Sequence, residues 1–328
     1  MAKKIQIGIV GYGNLGRGVE KAVKLSEDME LVAIFSRREP ESLGIVDKTV
    51  KALHISKARD YQDKIDVMIL CGGSMSDLPK QGPLFASMFN TVDSFDNHAQ
   101  IPSYYSSVDK VAKASGKTSI ISVGWDPGLF SLMRMITSAI LPQGNTYTFW
   151  GKGVSQGHSD AIRRVEGVEK GVQYTIPIEE AVEKVRSGSN PQLSNRQKHR
   201  RECFVVAKEG YDKTKIEQEI TAMPNYFADY DTTVHFISKE EFLEKHSQMP
   251  HGGFVIHSAK TGDDNNQIVE FSLKLESNPE FTSSVLTAYA RAAYYLNQEG
   301  VVGAKTILEI PPAYISPKSL EALKKELL

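Results

Sequence analysis

The sequence predicts an α/β protein in two parts: a doubly wound parallel sheet at the N-terminus, then an α+β portion built on a mixed sheet. Three observations carry this expectation. Unbroken apolar runs alternate with helix-patterned segments through the first third of the 328 residues, as parallel strands covered on both faces require. A glycine cluster, Gly11-Tyr-Gly13-Asn-Leu-Gly16, follows the first run without a gap. From Thr146 onward the runs alternate instead, as in Tyr147-Thr-Phe-Trp150, Cys203-Phe-Val-Val206 and Val269-Glu-Phe-Ser-Leu-Lys-Leu275, which suits strands with one solvated face.

Taken in order, Ile5-Gln-Ile-Gly-Ile-Val10 is the first buried strand, and the glycines turn it into a helix. The amides of such a turn and the helix N-terminus face a pyrophosphate. The second strand, Leu31-Val-Ala-Ile-Phe35, ends in Ser36-Arg37-Arg38. An Asp or Glu at that tip would bond a ribose 2′-hydroxyl and repel a 2′-phosphate. A hydroxyl and two guanidinium groups stand there instead, and guanidinium matches phosphate with charge-assisted hydrogen bonds. The reading is a Rossmann-type dinucleotide-binding domain for NADP, not NAD. A lone glycine motif is weak, and its bland alternative is a tight turn followed by an exposed basic pair; the strand before it, the helix pattern after it and the basic tip favour the cofactor.

Asp66-Val-Met-Ile-Leu70 is the third strand, ending in Cys71-Gly72-Gly73-Ser74, small residues that let a cofactor pass closely. Another short strand precedes Asp93-Ser94-Phe95-Asp96-Asn97-His98, and Thr118-Ser-Ile-Ile-Ser-Val123 leads to Gly124-Trp125-Asp126-Pro127-Gly128. Ligands of open parallel sheets collect at these carboxyl ends. Leu129 to Leu141 reads as a helix with Asp126 as N-cap and Pro127 at its first position. In the second half two polar helices separate the alternating strands and are expected on one face of the sheet. Pro279 to Gln298 is a long amphipathic helix, capped by Asn278 and stopped by Gly300. Thr306-Ile-Leu-Glu-Ile310 is the last strand expected, followed by a short helix in a tail that returns to the first domain.

The chain is long enough for two cores. Its net charge of -1 provides no general attraction to nucleic acid or to an anionic membrane. No apolar stretch approaches a membrane span. The basic start, Met1-Ala-Lys-Lys, resembles a signal peptide only superficially, since Gln6, Gly8 and Gly11 interrupt the run behind it. Two cysteines, Cys71 and Cys203, are far apart and fit a reduced compartment, so a cytoplasmic location is expected. The eight histidines show no zinc-binding spacing, and no metal is expected.

Several less common strings occur in order: Phe35-Ser-Arg-Arg38, Asp96-Asn-His98, Gly124-Trp-Asp-Pro-Gly128, Phe149-Trp-Gly151, Ser155-Gln-Gly-His-Ser-Asp160, Gln173-Tyr-Thr175, Arg201 before Cys203-Phe-Val-Val206, Met249-Pro-His-Gly-Gly253 and Asn278-Pro279. Over nearly its whole length the chain thereby resembles the meso-diaminopimelate dehydrogenases, NADP-dependent enzymes of bacterial lysine biosynthesis. The resemblance implies reversible oxidative deamination of the D-centre of meso-2,6-diaminopimelate, giving L-2-amino-6-oxopimelate and ammonia. It implies a homodimer, with residues 1–124 and about 303–328 binding NADP and about 125–302 forming the substrate-binding and dimerisation domain.

The site residues follow from the same resemblance. Thr175, Arg201, His251 and Asn278 would bind the distal L end, with Arg201 as the fork on its carboxylate. Asp96 and Asp126 would receive the ammonium of the D end beside Trp125, Trp150 and the Gln156-Gly157 backbone, with Asp160 supporting that loop. Either aspartate is the candidate proton relay, or merely orients the amine. The cofactor contacts expected are Gly11, Tyr12, Gly13, Asn14, Leu15 and Gly16; Ser36, Arg37 and Arg38; Cys71, Gly72, Gly73 and Ser74; Ser94, Phe95 and Asp96; and Gly124, Trp125, Asp126 and Pro127. Where the family often has Tyr, this chain has Phe95, so any role of that hydroxyl is missing here. Taken without the resemblance, the bland readings are an exposed basic strand end for Arg200-Arg201, a structural His251, a capping Asn278 and core anchors for both tryptophans. Another NADP-dependent amino acid dehydrogenase, an imine reductase or a non-catalytic NADP sensor are the competing functions.

Overall fold

A computed structural model of the chain describes residues 3–328; Met1 and Ala2, the start of the basic N-terminal stretch, lie outside it. The strands, in chain order, are β1 (Ile5–Val10), β2 (Met29–Ser36), β3 (Lys51–His54), β4 (Val67–Leu70), β5 (Asn90–Asp93), β6 (Thr118–Ile120) and β7 (Asn145–Trp150). They continue as β8 (Gly153–Val154), β9 (Val168–Pro177), β10 (His199–Ala207), β11 (Asp231–Phe236), β12 (His251–Thr261), β13 (Asn265–Leu275) and β14 (Gly303–Lys305). Two compact units form: one runs to Leu132 and resumes over Pro279–Leu328, the other is Met133–Asn278.

The first unit is built on a seven-stranded sheet in the order β14-β6-β5-β4-β1-β2-β3. All its pairings are parallel. The strand order reverses between β1 and β4, so a crevice opens beyond their carboxyl ends, where such sheets bind ligands. Ile5, Ile7 and Ile9 point into one core with the helix Asn278–Gln298, through Val285, Leu286, Tyr289 and Ala293. Val10, Met68 and Leu70 face the other core with Phe85 and Tyr104 from the helices Leu78–Ala86 and Ile101–Ala114. Both faces are thus covered, which is why these strands lack polar alternation.

Some elements differ from the sequence expectation. The long helix, placed with the second half by its position in the chain, packs in the first unit except for its leading Asn278. The last strand is Gly303–Lys305, not Thr306–Ile310. Thr306 and Glu309 instead form a capping box around a short 3-10 turn, with the Thr306 N–H donating to the Glu309 carboxylate at 2.8 Å. The helix Leu129–Ile140 begins where expected, but Pro127 precedes it by two residues and does not occupy its first position. A strand, β3, also lies in the segment to which the sequence assigned nothing.

The second unit holds a four-stranded sheet, β11-β10-β9-β8, and a three-stranded one, β13-β12-β7. In the four-stranded sheet β10 is antiparallel to β9 and parallel to β11, so the sheet is mixed. Cys203 and Val205 face Ile162, Ile216 and Ile220 of two helices. Phe204, one residue along, faces the opposite side with Phe242 of a third helix, Lys239–Lys245. Helices therefore cover both faces of this sheet, not one, because β10 is apolar at successive positions.

Candidate active site

In the first unit a cleft of about 290 Å³ lies at the reversal of strand order, and eight of the expected cofactor residues line it: Gly11, Tyr12, Gly13, Ser36, Arg37, Arg38, Cys71 and Gly72. Gly11 leaves β1 at φ +90°, a conformation that favours glycine. A Cβ on Gly16 would stand 2.2 Å from the Gly11 carbonyl oxygen, so that turn tolerates no side chain. Gly13, Asn14, Leu15 and Gly16 open the helix Asn14–Lys24, which has neither a side-chain cap nor an acidic residue in its first turn. Its N-terminal amides are therefore suited to an anion. These features fit a dinucleotide pyrophosphate.

The basic tip is organised around the same cleft. Ser36 Oγ accepts the Arg38 N–H at 3.0 Å, and the Arg38 guanidinium donates to the Tyr12 carbonyl. Arg37 pairs at 2.8 Å with Asp77, whose other oxygen accepts the Gly73 N–H at 3.2 Å. Asp77 escaped sequence reasoning because it stands one loop beyond the strand that suggests the pocket. Arg37→Ala and Arg38→Ala are each expected to weaken NADP binding by about 1.5–3 kcal/mol while sparing NAD. Calorimetric titration with both nucleotides checks this, and an equal loss for the two would place the basic pair off the 2′-phosphate.

Ser74 and Phe95 line a second cleft of about 410 Å³ together with Asn97 and Tyr104. Ser74 Oγ accepts the Asp96 N–H at 3.1 Å, which ties the loop after β4 to the loop after β5. The Asp96 side chain is exposed, Ser94 is half-buried, and Phe95 is buried and stacked on Tyr104 at 4.1 Å. Phe95 therefore serves as a packed ring. Beyond β6, Gly124 and Trp125 are buried while Asp126 and Pro127 are half-buried. Trp125 forms a bridge with Gly128 and packs edge-on against Phe130.

A buried acid fixes both loops. Asp93 Oδ1 accepts the Phe95 N–H at 3.0 Å and the Ser122 N–H at 3.2 Å, and Oδ2 accepts the Tyr104 hydroxyl at 2.6 Å. Burial outweighs these hydrogen bonds and pushes its pKa up to about 6 from 3.8. The folded state thus holds this proton more tightly than the unfolded one. Its contribution to stability is greatest below the unfolded value and falls as pH rises through the folded one. Between pH 4 and 7 the parent should lose about 2–3 kcal/mol that Asp93→Asn, neutral throughout, does not lose. Melting temperatures of both proteins across this range test it: parallel curves would show that Asp93 does not titrate there.

In the second unit the strand register assembles a row. Arg201 on β10 is directly opposite Thr175 on β9, and Thr175 is opposite Gly153 on β8. A Cβ on Gly153 would lie 2.4 Å from the His251 Cα, so only glycine lets His251 close the row. Asn278 joins it through its N–H, which donates to the Met249 carbonyl at 3.0 Å, and the Gln156 amide reaches the Met249 sulfur at 3.5 Å. Gln156, Thr175, Arg201, His251 and Asn278 are therefore brought together. The remaining expected residues lie around them. Gly157 adjoins open space, and Trp150 stacks on His199, whose Nε2 accepts the Trp150 N–H at 2.8 Å. Asp160 pairs with Arg163 on the surface; the Ser155–Ser159 loop is tied by Ser159 Oγ, which donates to the Ser155 carbonyl at 2.6 Å.

Arg201 dominates the electrostatics. It is only 6% exposed, yet the ionisable groups beside it are Tyr230 and Cys203 and not a carboxylate. Burial pushes its pKa below the ordinary arginine value. The guanidinium lies 4.0 Å over the Tyr230 ring and donates to Thr175 Oγ1, while its Nε–H is buried with no partner. Burial, then Arg201, pushes the His158 pKa down to about 3, and His199 is lowered to about 3 for the same two reasons, followed by Lys198. Both rings are neutral, so Arg201 is the cation buried beside them. Removing a charge from water costs several kcal/mol unless a counter-ion and hydrogen bonds offset it, and an anion brought to this guanidinium would supply that offset. Sequence reasoning missed Tyr230, which reaches Arg201 only through the β10–β11 pairing, and gave Gln173 no role although alternation along β9 puts it on the face of Thr175. No group of three His, Cys, Asp or Glu among the described residues is placed to hold a metal.

A basic pair lining a cleft at the switch point of a parallel sheet, with a buried guanidinium lacking a carboxylate partner in the other unit, fits the class of NADP-dependent oxidoreductases acting on carboxylate-bearing substrates. Comparison with known proteins narrows the class. The diaminopimelic acid dehydrogenase C-terminal domain matches residues 124–277. The meso-diaminopimelate D-dehydrogenase of Ureibacillus thermosphaericus is 66% identical over 325 residues, 99% of each chain. A mutant meso-diaminopimelate dehydrogenase from Clostridium tetani, crystallised with diaminopimelate, superposes with a TM-score of 0.94 at 57% identity, covering 99% of this chain and 100% of that one. An engineered D-amino acid dehydrogenase bound to NADP+ has a TM-score of 0.89 at 43% identity, with the same coverage. The chain belongs to the meso-diaminopimelate D-dehydrogenase family.

Proposed function

We propose that the chain carries out the reversible NADP-dependent oxidative deamination of meso-2,6-diaminopimelate at its D-centre, yielding L-2-amino-6-oxopimelate and ammonia, with the roles of individual residues as follows. The single observation that carries the substrate reading is Arg201, a buried guanidinium with an unpartnered Nε–H and no carboxylate beside it. A carboxylate approaching it is met by Nε and by the Thr175 hydroxyl. His251 and Asn278 complete recognition of that amino acid head, the distal L end. Support comes from the Clostridium tetani mutant: its six substituted residues are Gln, Thr, Arg, Pro, His and Asn, in an order and spacing that fall on Gln156, Thr175, Arg201, Pro250, His251 and Asn278.

The first unit supplies the remaining groups. Gly11 to Gly16 hold the pyrophosphate, and Ser36, Arg37 and Arg38 hold the 2′-phosphate. Bound NADP supplies the hydride acceptor. Asp96 and Asp126 receive the ammonium of the D end, and one of them takes the proton that must leave before the nitrogen lone pair can assist loss of the hydride. Residues otherwise position the reactants.

Homodimer formation belongs to the same reading. The long helix Asn278–Gln298 is buried on its apolar face within the first unit. The outer strand β13, with Ile268 38% and Val269 37% exposed, is the surface favoured for self-association. No described helix is long and apolar enough to cross a membrane. A cytoplasmic site is favoured by two cysteines that are both free thiols. The test of function is to record reduced-nicotinamide absorbance with NADP+ and meso-, LL- or DD-diaminopimelate. Turnover of the meso isomer is expected. A signal with simple amines but none with the meso isomer would favour another amine dehydrogenase, and cofactor binding without turnover would favour a sensor.

A further inference from the structure

We infer that Gln173 is a positioning residue that commits the Thr175 hydroxyl to donating toward the substrate carboxylate. This rests on the reading of Arg201 and Thr175 given above. A threonine hydroxyl has one hydrogen to donate and two lone pairs to accept with. Gln173 Nε2 donates to Thr175 Oγ1 at 3.2 Å, and Arg201 Nη1 donates to the same oxygen. Both lone pairs are then occupied by donors. The hydroxyl hydrogen is the only capacity left, so Thr175 can meet an acceptor, such as a carboxylate, and cannot accept from an ammonium. The polarity of the subsite is set by Gln173 as well as by Arg201.

Position 173 suits this task. The side chain is completely buried, as are its neighbours Thr175 at 3% and Arg201 at 6% exposure, so water does not compete for the hydroxyl. Its backbone is clamped on both sides: the Gln173 N–H donates to Ser159 Oγ at 3.0 Å and its carbonyl accepts the Ser155 N–H at 3.1 Å. The same residue thereby joins the Ser155–Ser159 loop, which carries Gln156 and Gly157, to the row that carries Thr175 and Arg201. Its Oε1 is buried without a partner. A buried amide oxygen left unsatisfied is costly, and an apolar residue would fill the space without that cost. A glutamine at this position is accounted for if its amide nitrogen has a function.

Two variants separate this from a packing role. Gln173→Glu has nearly the same shape but only acceptors when ionised, so it draws the Thr175 hydrogen to itself and places a carboxylate beside Arg201. Gln173→Met fills the space and removes the donor. The KM for meso-diaminopimelate should rise about 10-fold in Gln173→Met and about 100-fold in Gln173→Glu, with the KM for NADP unchanged in both. In a Thr175→Val background, Gln173→Met should have no further effect, since its target is gone; in Thr175→Ser the effect should return. An unchanged KM in Gln173→Glu, or an equal rise from Gln173→Met with and without the Thr175 hydroxyl, overturns the inference. The underlying reading is tested separately by Arg201→Met: if that variant loses affinity while the Gln173 variants do not, only the role of Gln173 fails. Should Gln173→Met not fold, Gln173→Glu with its near-native shape still decides.

Discussion

Arg201→Met is expected to lower kcat/KM for meso-diaminopimelate by about 10²–10³-fold while raising the melting temperature of the ligand-free protein. The two effects share one cause. In the free protein the guanidinium is buried, its Nε–H has no partner, and it has Tyr230 and Thr175 instead of a carboxylate beside it. Methionine occupies similar space without desolvating a charge, and replacing buried charges by apolar side chains stabilises by about 1–4 kcal/mol in comparable cases. The Tyr230 contact and the Thr175 hydrogen bond offset part of that gain. With substrate present the sign reverses, because the charge-assisted bond from Nε to the carboxylate, about 1.5–3 kcal/mol, is lost, and the Thr175 hydroxyl, no longer held by Nη1, loses about 1 kcal/mol of its own hydrogen bond. Thermal scans with and without the diamino diacid, alongside steady-state kinetics, measure both. The variant should melt higher alone and gain little from ligand. A lower melting point in the free variant, with kcat/KM intact, would make Arg201 a structural residue.

How much of this was legible in the sequence follows from what kind of information each feature needs. The strand, glycine turn and basic tip are local, and a parallel strand covered on both faces announces itself as an unbroken apolar run, as in Ile5–Val10 and Val67–Leu70. Edge strand β3 was silent because none of its four residues is fully buried, so it has no such run. Periodicity showed that the helix ending at Gln298 buries one face but not which core receives it; Val285, Leu286 and Tyr289 answer that only in three dimensions. At Thr306 two local signals competed, and capping by Glu309 prevailed over the β-branched pattern. Site residues were legible as a set of strings, but not their environment. Nothing in the string around Arg201 announces a buried guanidinium without an acid, since that depends on the register of β9, β10 and β11. Asp93 and Gln173 act through hydrogen bonds to other residues, and only coordinates reveal such partners.

The second large effect is expected at the two aspartates of the first unit. An ammonium has no lone pair, so the D-centre cannot release a hydride until a proton has gone, and a carboxylate that removes it contributes about 10²–10⁴-fold. Asparagine keeps the shape and hydrogen-bonding reach of aspartate but cannot take the proton. Asp126→Asn or Asp96→Asn should therefore lose kcat by that factor in whichever carboxylate is the relay, while the KM for NADP stays near the parent value. The other variant, having lost only an orienting charge, should act mainly through the KM for the diamino diacid. Their settings differ: Asp126 is half-buried one residue beyond the buried Trp125, whereas Asp96 is exposed with its N–H held by Ser74. The shielded setting excludes bulk water better, which favours Asp126 as the relay. The pH profile of kcat separates relay from orienter, because only loss of the relay removes the acid limb. Retention of kcat within a few fold in both single variants and in the double variant would mean that the proton leaves to water, and the catalytic assignment of these carboxylates would fall.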